Sequence, residues 1–302
     1  MPDLNRELHI ALVATLTCPV CGAPMRVSEG AQSLLCTGEA ATPSGRGNRI
    51  HCFDGAAGGY VPLAPRHSGG GDAKDAVRAR TAFLTHGYYA KAADAVTAAV
   101  RDYTPADGLV LDAGCGEGYY SNRIAASGHP VMGVDLSKFA VDTAARTARR
   151  ERMAQPDVTS MTLFSVGSVF ELPVKDGSFD TVTNIFAPCA PGEYARVLRP
   201  GGHLIVAGAG ERHLFGLKER LYDDPYLNDP RRDLPAASDP FLPVETREVT
   251  FTITVSGQEH IAALFSMTPY YWRTGRDGQA RLLETDTLVT EVAFDIRIYR
   301  RT

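Results

Sequence analysis

From Leu109 onward the chain alternates short apolar runs with longer stretches of mixed polarity. Leu109–Leu111 ends in Asp112, and Val131–Val134 ends in Asp135, with a helix-like stretch between them. Thr162–Val166, Phe179–Phe186 and His203–Ala207 are three further strand-like runs, the second β-branched and preceded by a Lys175-Asp176-Gly177 turn. A helix over Glu193–Leu198 is predicted to stop at Arg199-Pro200-Gly201-Gly202. Strands that alternate with helices in this way argue for an α/β fold on a mostly parallel sheet.

Upstream, Ala73–Phe83 and Ala90–Tyr103 have helical character and are separated by Gly87-Tyr88-Tyr89. Asp72 stands where it can cap the first of them. Downstream, Arg212–Tyr222 reads as helix and Asp223–Pro243, with five prolines, as a long surface loop. Thr246–Val255 and Phe294–Arg300 alternate as strands, and the second is expected to close the sheet edge. Residues 1–66 show little helical periodicity, and Ser68-Gly69-Gly70-Gly71 reads as a flexible joint. Three units are therefore expected: a small module over 1–66, a helical linker or lid over 67–104, and an α/β domain over 105–302.

The turn after the first strand of that domain carries the strongest chemistry. It reads Asp112-Ala113-Gly114-Cys115-Gly116-Glu117-Gly118. Glycines let the backbone approach a ligand, and the following helix start offers free N–H groups. A dinucleotide fingerprint spaces its glycines as G-x-G-x-x-G around a pyrophosphate. Here the order is D-x-G-x-G-x-G, and the leading carboxylate would repel a pyrophosphate. It suits a ligand that carries an ammonium and a sulfonium, which points to S-adenosylmethionine (SAM). Asp135, ending the next strand, is placed to accept both ribose hydroxyls. Gly114, Gly116, Asp135 and its neighbour Leu136 are the predicted cofactor contacts, with Ser168 at the adenine amine. Asn184, inside the fourth strand, is placed to meet cofactor or substrate, or else to bond the backbone.

Composition narrows the partners. The net charge is −4, so no global field draws the chain to nucleic acid. Basic clusters at Arg146, Arg149, Arg150 and Arg152, and at Arg231 with Arg232, read as solvated faces first and phosphate contacts second. No apolar run reaches the roughly 20 residues that span a bilayer, and Met1–Glu7 has no apolar leader core. A cytoplasmic location with no membrane partner is expected.

Of the six cysteines, Cys18, Cys21, Cys36 and Cys52 lie in the first sixth of the chain. Cys18-Pro-Val-Cys21 is a knuckle able to hold one tetrahedral Zn²⁺, and Cys36 follows a short apolar pair. The fourth ligand is His51 or Cys52, and the insert Thr37–Ile50 stretches the second knuckle. A structural zinc fits a segment too small for an adequate core of its own. A redox C-x-x-C is the weaker rival, because no thioredoxin-like βαβ surrounds it.

Taken together, Cys18-Pro-Val-Cys21, Cys36, His51-Cys-Phe-Asp54, Gly59-Tyr60-Val61, Gly71-Asp72, Ala79-Arg80, Phe83-Leu84 and Gly114–Tyr120 stand in an order that resembles the RlmA/TlrB family. Phe186-Ala-Pro-Cys189, Arg199–Gly202, Arg212-His-Leu214, Met267-Thr-Pro269 and Trp272-Arg273 extend the resemblance over nearly the whole chain. That family methylates guanine N1 of 23S ribosomal RNA, in some members conferring macrolide resistance. The resemblance implies a Rossmann-like class I SAM-dependent methyltransferase with an N-terminal zinc-binding module, and it implies His51 as the fourth ligand. The chain departs from the family at Ala56-Ala57-Gly58, Tyr88 and Gly208, where substrate should lie. A relative recruited to a small heteroaromatic metabolite, such as an indole in secondary metabolism, would change there too. The expected partners are a 23S rRNA hairpin or a small heteroaromatic substrate; a homodimer is one option, and the sequence does not set the oligomeric state. A zinc-containing binding protein that has lost catalysis is the reading from outside the enzymes.

Methyl transfer needs a nucleophile held in line with the methyl and a route for any departing proton. Tyr88 and Tyr89 are candidate hydrogen-bonding groups for cofactor or substrate, with packing of the linker as the alternative role. His213 is a candidate base. Phe186 and Pro188, beside the expected methyl, are predicted to shape the substrate pocket. Arg80 is a candidate clamp for substrate or cofactor carboxylate, with a surface ion pair as its alternative. Cys115 and Cys189 show no base beside them, so no nucleophilic cysteine is expected.

Overall fold

The computed structural model describes residues 10–30, 32–38, 50–64, 70–154, 161–232 and 234–302. Most of the Thr37–Ile50 insert and the Ser68-Gly69 half of the expected joint lie outside the described residues. A short helix α1 (Ile10–Thr15) leads into a three-stranded antiparallel sheet of β1 (Met25–Val27), β2 (Ser33–Cys36) and β3 (Cys52–Asp54). Then come β4 (Val61–Pro62) and the linker helices α2 (Lys74–Thr85) and α3 (Ala90–Tyr103).

The α/β part runs β5 (Val110–Ala113), α4 (Tyr119–Ala126), β6 (Val131–Asp135), α5 (Lys138–Ala154), β7 (Thr162–Val166), β8 (Phe179–Ile185), α6 (Pro191–Val197) and β9 (Leu198–Ala209). Helix α7 (Phe215–Leu221) precedes β10 (Phe241–Ser256), α8 (Gln258–Ser266), a 3₁₀ turn (Pro269–Trp272), α9 (Arg276–Leu283) and β11 (Thr287–Arg301). The large sheet has the order β10-β11-β9-β8-β5-β6-β7-β4. Pairs from β4 through β9 are parallel, whereas β11 is antiparallel to both β9 and β10. Every residue of β5 and β7 is buried, as expected for strands covered on both faces.

Several sequence expectations shift. Phe294–Arg300 lies inside the sheet, and the edge is β10. The reason is visible in the side chains: β11 buries Val292, Phe294, Ile296 and Ile298, while β10 exposes most alternate positions. On the other edge, Val61–Pro62 pairs with Ser165–Val166, and Ser165 Oγ donates to the Val61 carbonyl at 2.9 Å. Pro62 is tolerated there because an edge strand needs no N–H on its outer side. Asp72 does not cap α2, whose N-cap is Ala73; its carboxylate pairs with Arg80 instead. The helix predicted over Arg212–Tyr222 shortens to α7, since Leu214 adopts a left-handed φ of 56°. The helices between β10 and β11 were outside the sequence prediction.

Two cores matter for the site. One fills the sheet around Leu111, Val134, Phe179 and Leu204. The other joins Phe83, Leu84 and Tyr89 of the linker to Leu214, Ile261, Leu264 and Phe294. Each such buried aliphatic or aromatic side chain contributes roughly 1.5–3 kcal/mol, so the linker is docked firmly on the C-terminal half. Gly71 continues this docking, because a Cβ there would fall 2.5 Å from the Ser137 amide nitrogen.

Candidate active site

At the carboxyl end of β5 the chain must turn sharply without losing contact with β6. Gly114 and Cys115 N–H groups both donate to the Val134 carbonyl, at 2.8 and 3.1 Å. Gly114 has φ +85°, and a Cβ there would stand 2.4 Å from that of Ala187. The turn therefore lies directly against the segment that follows β8. Asp135 reaches back across it: Oδ2 accepts from the Gly116 N–H at 3.0 Å and Oδ1 from the Ser137 N–H at 2.7 Å. Burial raises the Asp135 carboxyl while these two amides oppose the rise. Each oxygen keeps further lone pairs, the capacity a ribose diol needs.

Asp112 behaves differently from its sequence reading as a direct partner of the ligand cation. It is 1% exposed, accepts from Ser121 Oγ and Thr183 Oγ1 (2.9 Å), and so ties β5 to α4 and β8. Burial pushes its carboxyl up to about 6. Neither Ser121 nor Thr183 was singled out in the sequence, because a lone hydroxyl carries no pattern.

Arg80 comes from the linker. Its Nε donates to Glu117 at 2.6 Å, and its Nη1 donates to Asp72. Its Nη2 lies 3.2 Å from where a Gly116 Cβ would be, so the guanidinium borders the glycine turn. The buried Glu117 beside it holds the guanidinium well above its ordinary value, so the charge is permanent. Leu136 is half-buried next to Gly70, and Ser168 is occupied locally, with its Oγ accepting from the Phe170 N–H at 3.2 Å. Asn184 bonds the backbone: Nδ2 donates to the Pro188 carbonyl at 3.0 Å and to Tyr194 Oη at 2.9 Å. Tyr194 Oη also donates to that carbonyl, so Pro188 enters through its backbone and Asn184 shapes the loop instead of meeting cofactor.

Across the glycine turn stands an aromatic wall. Phe186, half exposed, holds a strained φ of +52°, a cost of about 1–3 kcal/mol for a non-glycine residue. Its N–H donates to the Ala207 carbonyl at 3.0 Å, which keeps the strained residue in place. Its ring packs on Phe294 and His213, with centroids 4.9 and 5.6 Å away. Tyr89 closes the wall edge-on to Phe294 and bonds His213 Nε2 through its hydroxyl at 3.2 Å.

His213 is not available as the predicted base. The Ala293 N–H donates to its Nδ1 at 3.2 Å, so Nε2 carries the proton and donates to Tyr89 Oη. Burial, helped by the Lys218 charge, lowers it to about 3. Tyr89 in turn is held neutral by burial and keeps its own proton to donate. Tyr88 faces elsewhere: its hydroxyl pairs with His260 Nδ1 at 3.0 Å and its ring stacks on Phe83. That is the packing role, and Tyr89 meets the same Phe83 ring edge-on at 5.2 Å.

In the small module, Cys18, Cys21, Cys36 and His51 bring their donor atoms within 4.8 Å of one another. Cys21 and Cys36 sulfurs are 3.8 Å apart, and His51 Nδ1 lies 3.6 and 3.5 Å from Cys18 and Cys36. A tetrahedron with Zn–S bonds of about 2.3 Å has edges of about 3.8 Å, so the four donors fit such an ion. Cys52 is exposed and directed at Asp54, outside this cluster.

The family model "Methyltransferase domain" matches residues 111–206. Among curated relatives, a 23S rRNA (guanine(748)-N(1))-methyltransferase of Streptomyces fradiae is 34% identical over 70% of this chain and 69% of its own length. A Micromonospora griseorubida protein provisionally named a 23S rRNA (guanine-N(1)-)-methyltransferase is 34% identical over 71% of this chain and 72% of its own. A Bacillus subtilis protein with the same provisional name is 28% identical over 93% of this chain and 95% of its own.

Proposed function

This chain belongs to the 23S rRNA (guanine-N1)-methyltransferase family, and from that premise we propose that it methylates guanine N1 in a 23S rRNA hairpin. It is a SAM-dependent methyltransferase. The observation that carries the RNA reading is the 34% identity with the Streptomyces fradiae enzyme over most of both chains.

When bound, SAM supplies an electrophilic methyl on a sulfonium. Asp135 would hold its ribose, the glycine turn its amino acid moiety, and Arg80 Nη2 its carboxylate. Ser168 and Leu136 would border the adenine. Opposite, the half-exposed Phe186 ring, backed edge-on by the buried Phe294, offers the apolar surface that would meet a planar base. Tyr89 lies buried behind that ring, with its oxygen accepting from His213. His213 acts by fixing that hydroxyl, and it keeps its proton on Nε2. No helix of the described residues is long and apolar enough to cross a membrane.

The four-donor cluster supports a structural Zn²⁺, since four protein ligands leave no open position for chemistry. Replacing Cys21 with Ser should abolish zinc in the purified protein and expose the first 66 residues to protease; full zinc content in the variant would reject the metal assignment.

For the reaction itself, the purified protein would be offered labelled SAM with either a 23S rRNA hairpin fragment or a panel of indoles. Label in the RNA, found at guanine N1 by mass spectrometry of the digested nucleosides, is expected. Label in the indoles and none in the RNA would reject the assignment.

A further inference from the structure

The 3₁₀ turn Pro269–Trp272 has an inner and an outer face. On the inner face Tyr270 is buried and donates to Asn228 Oδ1 at 3.2 Å. Asn228 Nδ2 donates to the Gly210 and His213 carbonyls at 3.1 and 3.0 Å. One side chain thus keys the turn to the wall that holds His213 and Tyr89. Thr274 Oγ1 closes the turn by donating to the Tyr270 carbonyl at 2.8 Å.

On the outer face Tyr271 is part-exposed and rests one side of its ring on Phe265, with centroids 5.4 Å apart. Trp272, the only tryptophan of the chain, is 81% exposed, and Tyr271 stands perpendicular to it at 5.0 Å. The segment's own charge is opposite in sign to that of the whole molecule, although Arg281 within it pairs with Asp223 at 3.0 Å. Met267–Leu283 carries three arginines and one acid in a chain of net charge −4. Arg273 lies beside the Tyr226 hydroxyl, and Arg276 is exposed with no ion pair among the described residues.

Exposed rings next to unneutralised guanidinium groups match unpaired nucleotides, whose bases stack and whose phosphates carry charge. Removing a base from its stack leaves a neighbour unstacked, and a ring nearby offsets that cost. We propose that Trp272, with Tyr271 and Arg273, is a stacking platform for an unpaired RNA base adjacent to the methylated one. This rests on the RNA reading above. It assigns part of the RNA grip to the helical insert between β10 and β11, remote in sequence from the metal cluster.

Because the chain has one tryptophan, its indole emission reports on this residue alone. Titration of the wild-type protein with a 23S rRNA hairpin fragment should quench that emission with the same midpoint that anisotropy of a labelled hairpin gives. SAM alone should leave it unchanged. Trp272→Ala should raise KM for the hairpin by about tenfold, the scale of one lost base stack, and Trp272→Phe should restore most of it. SAM affinity, measured by calorimetry, should be unaltered in both variants. Hairpin binding by anisotropy with constant indole emission, or an unchanged KM in Trp272→Ala, would overturn the platform. Failure of the wild-type protein to bind the hairpin at all would overturn the RNA reading, and the platform with it.

Discussion

The two sides of the candidate site are built by different means. On the cofactor side, Gly116 and Ser137 bond one carboxylate, Asp135, that is 19 and 2 residues away. On the acceptor side, Tyr89 meets His213 across 124 residues, and His213 meets Ala293 across 80. The first is a local backbone device, in which a turn and two strand ends suffice. The second exists only because α2 and α3 dock onto β11 and α8. A site assembled locally keeps its cofactor chemistry while the remote wall changes, so the acceptor side is free to diverge.

If the two sides are this separate, substitutions should sort cleanly. Asp135→Ala removes two amide bonds and the proposed ribose acceptor, and should weaken SAM at least about 100-fold by calorimetry, with hairpin affinity retained. Comparable losses of both would show that the sides are coupled. His213→Ala should do the reverse. It frees Tyr89 and opens a cavity beside Phe186, so kcat should fall about tenfold while the SAM Kd moves less than about twofold. Arg80→Ala should weaken SAM by about tenfold, with Arg80→Lys recovering part, since lysine keeps the charge and loses the fork that spans Glu117 and Asp72.

The smallest effect concerns pH. Asp112 is raised from 3.8 to about 6 by burial, so the folded state binds its proton more tightly than the unfolded chain does. Its stabilising contribution is complete below pH 4 and falls away as pH rises to 6. The melting temperature of the wild type relative to Asp112→Asn should therefore drop by roughly a few degrees between pH 4 and 6. A relative rise over that interval would mean that Ser121 and Thr183 outweigh burial.

Legibility in the sequence follows the same division. The predicted strand Thr162–Val166 and helix Ala90–Tyr103 match the observed elements, because apolar runs and helical spacing are local signals. Phe294–Arg300 was placed at an edge that β10 occupies, since alternation gives a strand its faces and says nothing of its neighbours. His213 looked like a base because histidine titrates near neutrality; the Ala293 amide that takes its lone pair belongs to a strand paired only in three dimensions. Asn228, Tyr270 and Tyr194, which brace the acceptor wall, carry no motif at all.

The sequence by itself determined the α/β alternation, the glycine turn with Asp135, and the cysteine spacing, all set by hydrogen bonds and turns between residues close along the chain. Tertiary structure alone decided which tyrosine meets His213 and that Asp112 is a buried brace, and it set His51, which the resemblance had implied, among the cysteines with Cys52 outside. The physical reason is that burial and hydrogen-bond partnership are fixed when distant segments pack. Until they do, a histidine, a tyrosine or a carboxylate has no defined protonation or direction.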